Sequence, residues 1–203
     1  MSAISLLDWR RRVAAMYAEV RANPDPRAAH HAWKVARNQL FATHSESPIP
    51  SAERAGFTGL PVADYDPAMR FNVQVDADCE PARIEVVTGT DGVVPFDRVG
   101  VVHLPSVGNL DVWWLGSYGG GIFVPIRDTR SDGATYPGGR YVIDTVKGAD
   151  LGGTDGYLVV DLNFAYNPSC AYDPMWACPL PPPGNTVTVP INAGELMRGP
   201  ARP

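Results

Sequence analysis

Two segments of the chain hold most of the side chains that could do chemistry. The first, DTRSDGATYPGGRY from Asp128 to Tyr141, leaves one apolar run and enters another. A glycine-rich connection bearing Asp128, Thr135, Tyr136 and Arg140 can bring backbone amides and a guanidinium onto one anion, since both match carboxylate or phosphate oxygens. The same residues suit a tight hairpin loop in which Arg140 pairs with Asp128 or Asp161. The second segment, DLNFAYNPSCAYDPMWACPLPPPGN from Asp161 to Asn185, holds two of the three cysteines and six of the twenty prolines. Prolines fix φ and remove backbone donors, so a stretch this rich in them, with aromatics and thiols between, is held by definite contacts rather than solvated. Asp161, Asn163, Tyr166, Asn167 and Tyr172 follow an apolar run and can converge on a polar pocket beside the first loop. Equally, the Asx side chains can cap the turn and the tyrosine hydroxyls can anchor it to the backbone.

Other candidates carry less. Cys170 and Cys178 are near in sequence within a proline-bounded loop, so they are either two packed thiols or a local disulfide; their CxxxxxxxC spacing matches no zinc motif, and no metal is expected. His30, His31, His44 and His103 have no acid or nucleophile at motif spacing. Ser131 is in no GxSxG elbow, and no Walker or dinucleotide fingerprint occurs, so no cofactor is expected. Gly119-Gly120-Gly121 precedes a strand, where a helix-end phosphate site cannot form.

The chain has 203 residues, 45% of them apolar, enough for one sizeable domain. A formal charge of −5, from 17 basic and 22 acidic groups, gives no long-range attraction for nucleic acid. No apolar run approaches the roughly 20 residues that cross a bilayer, and the arginines of MSAISLLDWRRR follow its apolar stretch. A cytoplasmic protein with no membrane partner is the expectation.

These residues need elements to position them. Ser5 and Asp8 resemble a capping box, and Trp9, Val13, Met16, Tyr17 and Val20 recur at helical spacing, which predicts a helix from Leu6 to Arg21. Asn23-Pro24 ends it; Asp25-Pro26 supplies a cap and a first-turn proline, and Ala29, Trp33, Ala36 and Leu40 form a second stripe. Beyond Ser47-Pro48 come FNVQV, RIEVV, VGVVHL, LDVWWL, GIFVPI, RYVIDTV and YLVVDL, short apolar runs separated by Gly, Pro and Asp. Connections such as Thr90-Asp91-Gly92 and Thr154-Asp155-Gly156 are too short for crossover helices, so the sheet is mainly antiparallel. Trp113 and Trp114 then face opposite sides of one strand. The predicted class is α+β: a helical pair over 1–46, a mainly antiparallel β-sandwich or partly open β-barrel over 47–197, and a disordered tail over 198–203, all in a single domain.

The two polar segments, together with FTGLPVADYDPAMRFNV at Phe57 to Val73 and the ending AGE at Ala193 to Glu195, resemble the family called domain of unknown function 1684, uncharacterised bacterial and archaeal proteins. The resemblance runs from the second helix to Glu195 and brings no activity, substrate or catalytic residue with it. Members usually read close to DATSGKETYGAGRY, so Arg130, Asp132 and Ala134 stand where Thr, Gly and Glu are usual, and Gly184 where an acidic residue often precedes Asn185. Asp128, Thr135, Tyr136, Gly139, Arg140, Asp161, Asn163, Tyr166, Asn167, Cys170 and Cys178 fit the pattern.

Three functions follow from these residues. In the first, a small polar or anionic molecule is bound, with Arg140 on the anion, Tyr136 and Tyr166 as walls, and Asn163 and Asn167 giving direction. In the second, the pocket is that of a hydrolase or lyase with Asp128 or Asp161 as base and Tyr136 as acid. In the third, the proline-cysteine segment is a clamp that closes the sheet, and the protein is a structural or interaction module that binds no ligand and acts through an interface elsewhere.

Overall fold

The computed structural model describes residues 2–88, 92–116, 118–129 and 133–197. Arg130, Ser131 and Asp132 of the first polar loop, Thr90-Asp91 of one expected hairpin and the expected tail over 198–203 lie outside the described residues.

Helix α1 (Ala3–Ala22) begins earlier than its stripe predicts. Ser2 is the N-cap, and its side chain and that of Ser5 satisfy each other's backbone N–H groups. Asp8 instead takes Arg12 at 2.9 Å and a His44 ring nitrogen at 3.1 Å. Helix α2 (Pro26–Thr43) starts as predicted, with Asp25 accepting from the amides of Arg27 and Ala28 and proline at the first position. Its buried face joins Ala29, Trp33, Leu40 and Phe41 to two polar residues, His30 and Arg37, which sit at the same helical spacing.

The first sheet is β1 (Arg70–Gln74), β8 (Tyr157–Asp161) and β7 (Gly153–Thr154), with Arg70 opposite Asp161. Asp155 at φ 50° and Gly156 at φ 83° make the two-residue β7–β8 turn whose twist matches antiparallel strands. The second sheet is a meander of β2 (Arg83–Val87), β3 (Val93–Leu104), β4 (Gly108–Leu115), β5 (Ile122–Asp128) and β6 (Arg140–Asp144), to which β9 (Thr186–Val187) adds in parallel beside β5. A bridge between Asp76 and Val101 joins the two sheets, at a bulge in β3. Gly100 makes this junction possible, because a Cβ there would stand 2.3 Å from the Val75 side chain and 2.8 Å from the Asp76 carbonyl. The sheets thus curl into a partly open half-barrel, and the α+β class with a mainly antiparallel body is as the sequence predicts.

The main core fills the space between the helices and the sheets, from Met16 and Trp33 to Val102, Leu110, Ile126, Val160 and Phe164. Val94, Phe96, Trp113, Phe123 and Tyr141 of the meander form a smaller core. Trp113 is 2% exposed and Trp114 42%, the opposite-face arrangement expected of neighbours in a strand. The proline-rich segment secures the smaller core: Asn185 accepts from Trp113 Nε1 at 2.9 Å and donates to the carbonyls of Asp111 and Pro125 at 2.9 Å each, while Tyr141 Oη donates to Pro179 O. At the departure Gly184, a Cβ would lie 2.1 Å from Asp111 Oδ2, so the carboxylate of Asp111, paired with Arg98 at 3.3 Å, occupies the room an acidic side chain at 184 would need.

Replacing Asn185 by Ala strands an indole N–H and two carbonyls in a dry interior. We expect a loss of about 3 kcal/mol in urea unfolding, with Trp113 fluorescence following the same transition.

Candidate functional site

The predicted site residues separate into two buried groups and one cavity wall. In the first group, the β6 residue Arg140 is 1% exposed and its guanidinium points at the end of the chain, donating to the carbonyls of Ala193 at 2.5 Å, Glu195 at 3.2 Å and Ile191 at 3.4 Å. Asp128 lies 3.7 Å from Arg140, accepts from the Ile191 amide at 2.9 Å and from the Thr135 hydroxyl at 2.7 Å. Of the two pairings open to Arg140, the structure has Asp128. Tyr136 turns away to Cys170, its hydroxyl 3.6 Å from Sγ, and burial followed by that thiol pushes its phenol up to about 12.

The second group surrounds Asp161, whose carboxylate takes Arg70 at 3.1 Å, the Asn163 amide at 3.0 Å and Asn163 Nδ2 at 2.8 Å. Burial raises its pKa, against the lowering effect of Asn163 and Arg70. Asn163 also holds both backbone groups of Asp66 at 2.8 Å, and its own carbonyl meets the His30 ring at 3.1 Å. Burial pushes that imidazole down, so His30 is held neutral near pH 7. Asp161 and Arg140 therefore serve separate ion pairs, Arg70 with Asp161 and Asp128 with Arg140.

Tyr166 and Asn167 border a different space, a cavity of about 80 Å³ between the two helices, the β6 end and the signature segment. Its centre is Arg37, a residue sequence reasoning left out. The Arg37 guanidinium lies over the rings of Phe41 at 4.4 Å and Tyr166 at 4.9 Å, donates to Glu195 Oε2 at 2.9 Å, and donates to the Tyr172 hydroxyl at 3.1 Å. Tyr172 passes its own proton in a short hydrogen bond to Glu195 Oε1, and the Asn167 amide donates to Glu195 Oε2 at 3.1 Å. Glu195 is wholly buried, so these three hydrogen bonds, one of them from a cation, are what permit a carboxylate there. Burial acts to lower the Arg37 pKa, but the fields of Tyr172 and Glu195 outweigh it and raise it.

Three side chains of the cavity wall each carry a buried polar atom with no hydrogen-bond partner among the described residues: Tyr17 Oη, Arg37 Nε and Asn167 Oδ1. The Trp33 indole N–H, a fourth such atom, acts on the Tyr17 phenol without meeting hydrogen-bond geometry. Burial pushes the Tyr17 phenol up to about 12. The half-exposed Trp9, Val13 and Ser169 and the exposed Lys147 make the approach. Lys147 Nζ is 3.6 Å from Asp144. A sequence signal for this site did exist: Arg37 stands on the apolar stripe of α2 four residues after Trp33 and four before Phe41, where a cation must have a buried partner.

A second concavity, about 390 Å³ and open, lies where Val75, Ile122, Ile143 and Leu158 meet the β7–β8 turn. None of the predicted site residues lines it. Cys170 and Cys178 are free thiols, the Cys170 amide donating to Cys178 Sγ at 3.4 Å, and burial lifts Cys178 to about 11. Among the described residues no three His, Cys, Asp or Glu side chains gather as a metal site, and no helix is long and apolar enough to cross a membrane.

The fold and its buried segments place the chain among α+β half-barrels whose end is locked under an N-terminal helical pair. It belongs to the family described as Protein of unknown function (DUF1684), whose model matches residues 55–196. The matched span starts after α2, just before the Phe57 motif and later than the second helix from which the resemblance runs, so Tyr17 and Arg37 lie outside it. The chain is also similar to the solution NMR structure of an uncharacterized protein from Haloarcula marismortui, with 31% identity, a TM-score of 0.56, and coverage of 82% of this chain and 91% of that one. No curated protein matches it.

Two outcomes follow for these groups. Arg140→Met removes the donor to three carbonyls and leaves Asp128 buried without its cation, so urea unfolding should show a loss of about 3–5 kcal/mol; a loss within experimental error would mean that these contacts do not hold the chain end. At alkaline pH, the folded and unfolded chains both hold the Tyr17 proton below pH 10, whereas between 10 and about 12 only the unfolded chain releases it. Stability therefore falls across that window, by about 3 kcal/mol for this phenol. Urea midpoints measured from pH 9 to 12 should drop less steeply for Tyr17→Phe than for the natural chain.

Proposed function

We propose that this protein binds a small polar or anionic molecule in the cavity beneath its helical pair. One observation carries the reading: three walls of a single enclosed space, Tyr17, Arg37 and Asn167, each hold an unpaired buried polar atom. An unmet buried donor or acceptor costs about 1–3 kcal/mol, and three in one place favour an occupant that repays them. Aromatic rings of Trp9, Phe41, Tyr141 and Tyr166 enclose the same space, the mix of apolar wall and few polar groups that ligand sites share. Tyr166 and Asn167 keep the roles of wall and hydrogen-bonding group assigned from sequence. Arg37, and not Arg140, is the arginine at this cavity, because the donors of Arg140 are engaged by the chain end. The acidic charge and few cysteines suit a cytoplasmic setting.

The hydrolase or lyase reading has less support. Asp128 is held by Thr135, the Ile191 amide and Arg140, and Asp161 by Arg70 and Asn163, while Tyr136 faces a thiol. Neither concavity is lined by any of the three.

A thermal-shift screen of small polar metabolites, run on the natural chain and on Ser169→Trp, tests the binding reading. The bulky ring at the half-exposed edge should block the cavity without entering the core. At least one compound should raise the melting temperature of the natural chain and leave the variant unmoved, as preferential binding to the native state requires. If every compound that acts does so equally on both proteins, this cavity is not the site.

A further inference from the structure

We infer that the group this cavity takes is a neutral carboxamide or urea-type group, and not a full anion; the inference rests on the binding reading above and narrows its ligand. Charge is the first reason. The cation of Arg37 is already met by Glu195 at 2.9 Å, and that of Lys147 by Asp144 at 3.6 Å. A carboxylate or phosphate would thus enter a space whose positive charges are matched, beside a wholly buried carboxylate, and would pay desolvation with no free cation in return.

Hydrogen-bond chemistry is the second reason. Among the described residues, the unpartnered atoms of the lining side chains are one donor, Arg37 Nε–H; one acceptor, Asn167 Oδ1; and one group that can do either, Tyr17 Oη. The orientation of the Asn167 amide is fixed by its own contact, since Nδ2 donates to Leu196 O at 3.0 Å and so leaves the oxygen as the vacant atom. A carboxylate has no proton for that oxygen, and inorganic phosphate offers its P–OH only together with a full negative charge beside the buried Glu195. An ammonium has no acceptor for Arg37. A carboxamide carries both, with a carbonyl for Arg37 and Tyr17 and an N–H for Asn167. Its few heavy atoms also suit a cavity of about 80 Å³. The approach past Trp9, Val13 and Lys147 leaves room for the remainder of a longer molecule to project outward.

The test is a titration of the full chain by two-dimensional ¹⁵N NMR, with acetamide and urea as neutral probes and acetate and inorganic phosphate at matched ionic strength. The signals followed are the indole N–H groups of Trp9, which lines the cavity, and Trp33, which faces Tyr17. Acetamide and urea should give saturable shifts of these signals in the millimolar range while the anions give none. Tyr17→Phe, which removes a hydroxyl with no hydrogen-bond partner among the described residues and keeps the ring that packs there, should weaken acetamide about fivefold. Saturation by acetate or phosphate at equal or lower concentration would overturn the ligand class and leave the binding reading standing. Acetamide binding that is indifferent to Tyr17→Phe would overturn the assignment of these atoms. If no probe shifts either indole, the cavity holds water alone, and both the class and the binding reading fail.

Discussion

A carboxylate with no exposure to water sits at the centre of this fold, and the structure around Glu195 exists in the form it does because that charge must be met. The demand is answered from three distant parts of the chain: Arg37 on α2, Tyr172 in the proline-cysteine segment, and the backbone of Asn167. Because a buried carboxylate without a cation is worth several kcal/mol of instability, each of these groups is fixed to within hydrogen-bond distance of the others. Helices, signature segment and chain end are thereby one packed unit.

Arg140 and Asp128 extend the same logic outward. They hold the carbonyls and amide of residues 191–195, and so deliver Glu195 to its place. Asn185 does the corresponding work on the opposite sheet face, under the smaller core. The Asp161 to Asn185 segment is therefore a clamp in structural terms, but not only a clamp: its Tyr166, Asn167 and Tyr172 also face the cavity that its closure creates. Among the described residues five buried polar side-chain atoms lack a partner, and three of them, on Tyr17, Arg37 and Asn167, belong to residues of one cavity wall; such departures concentrate where proteins bind.

The sequence determined much of this by itself, because local chemistry is enough for elements. Asp25-Pro26 could only begin a helix well, Asp155-Gly156 could adopt the left-handed angles of a two-residue hairpin turn, and the apolar runs between turns could only be short strands of a mainly antiparallel sheet. The recurrence of Tyr166, Asn167 and Arg140 among the residues singled out for their chemistry was likewise legible from type alone. What the sequence could not settle was partnership. Whether Arg140 meets a ligand or a carbonyl depends on where residues 191–195 return, some 50 positions later in the chain, and no local propensity encodes that return. Tyr17 read as one more apolar stripe position, and Arg37 drew no reading at all, because a helix presents its faces without saying what will cover them. Only the tertiary structure, by laying α2 and the chain end against the same segment, decided that one arginine would be spent on the backbone and the other would stand, partly unpaired, in the wall of a cavity.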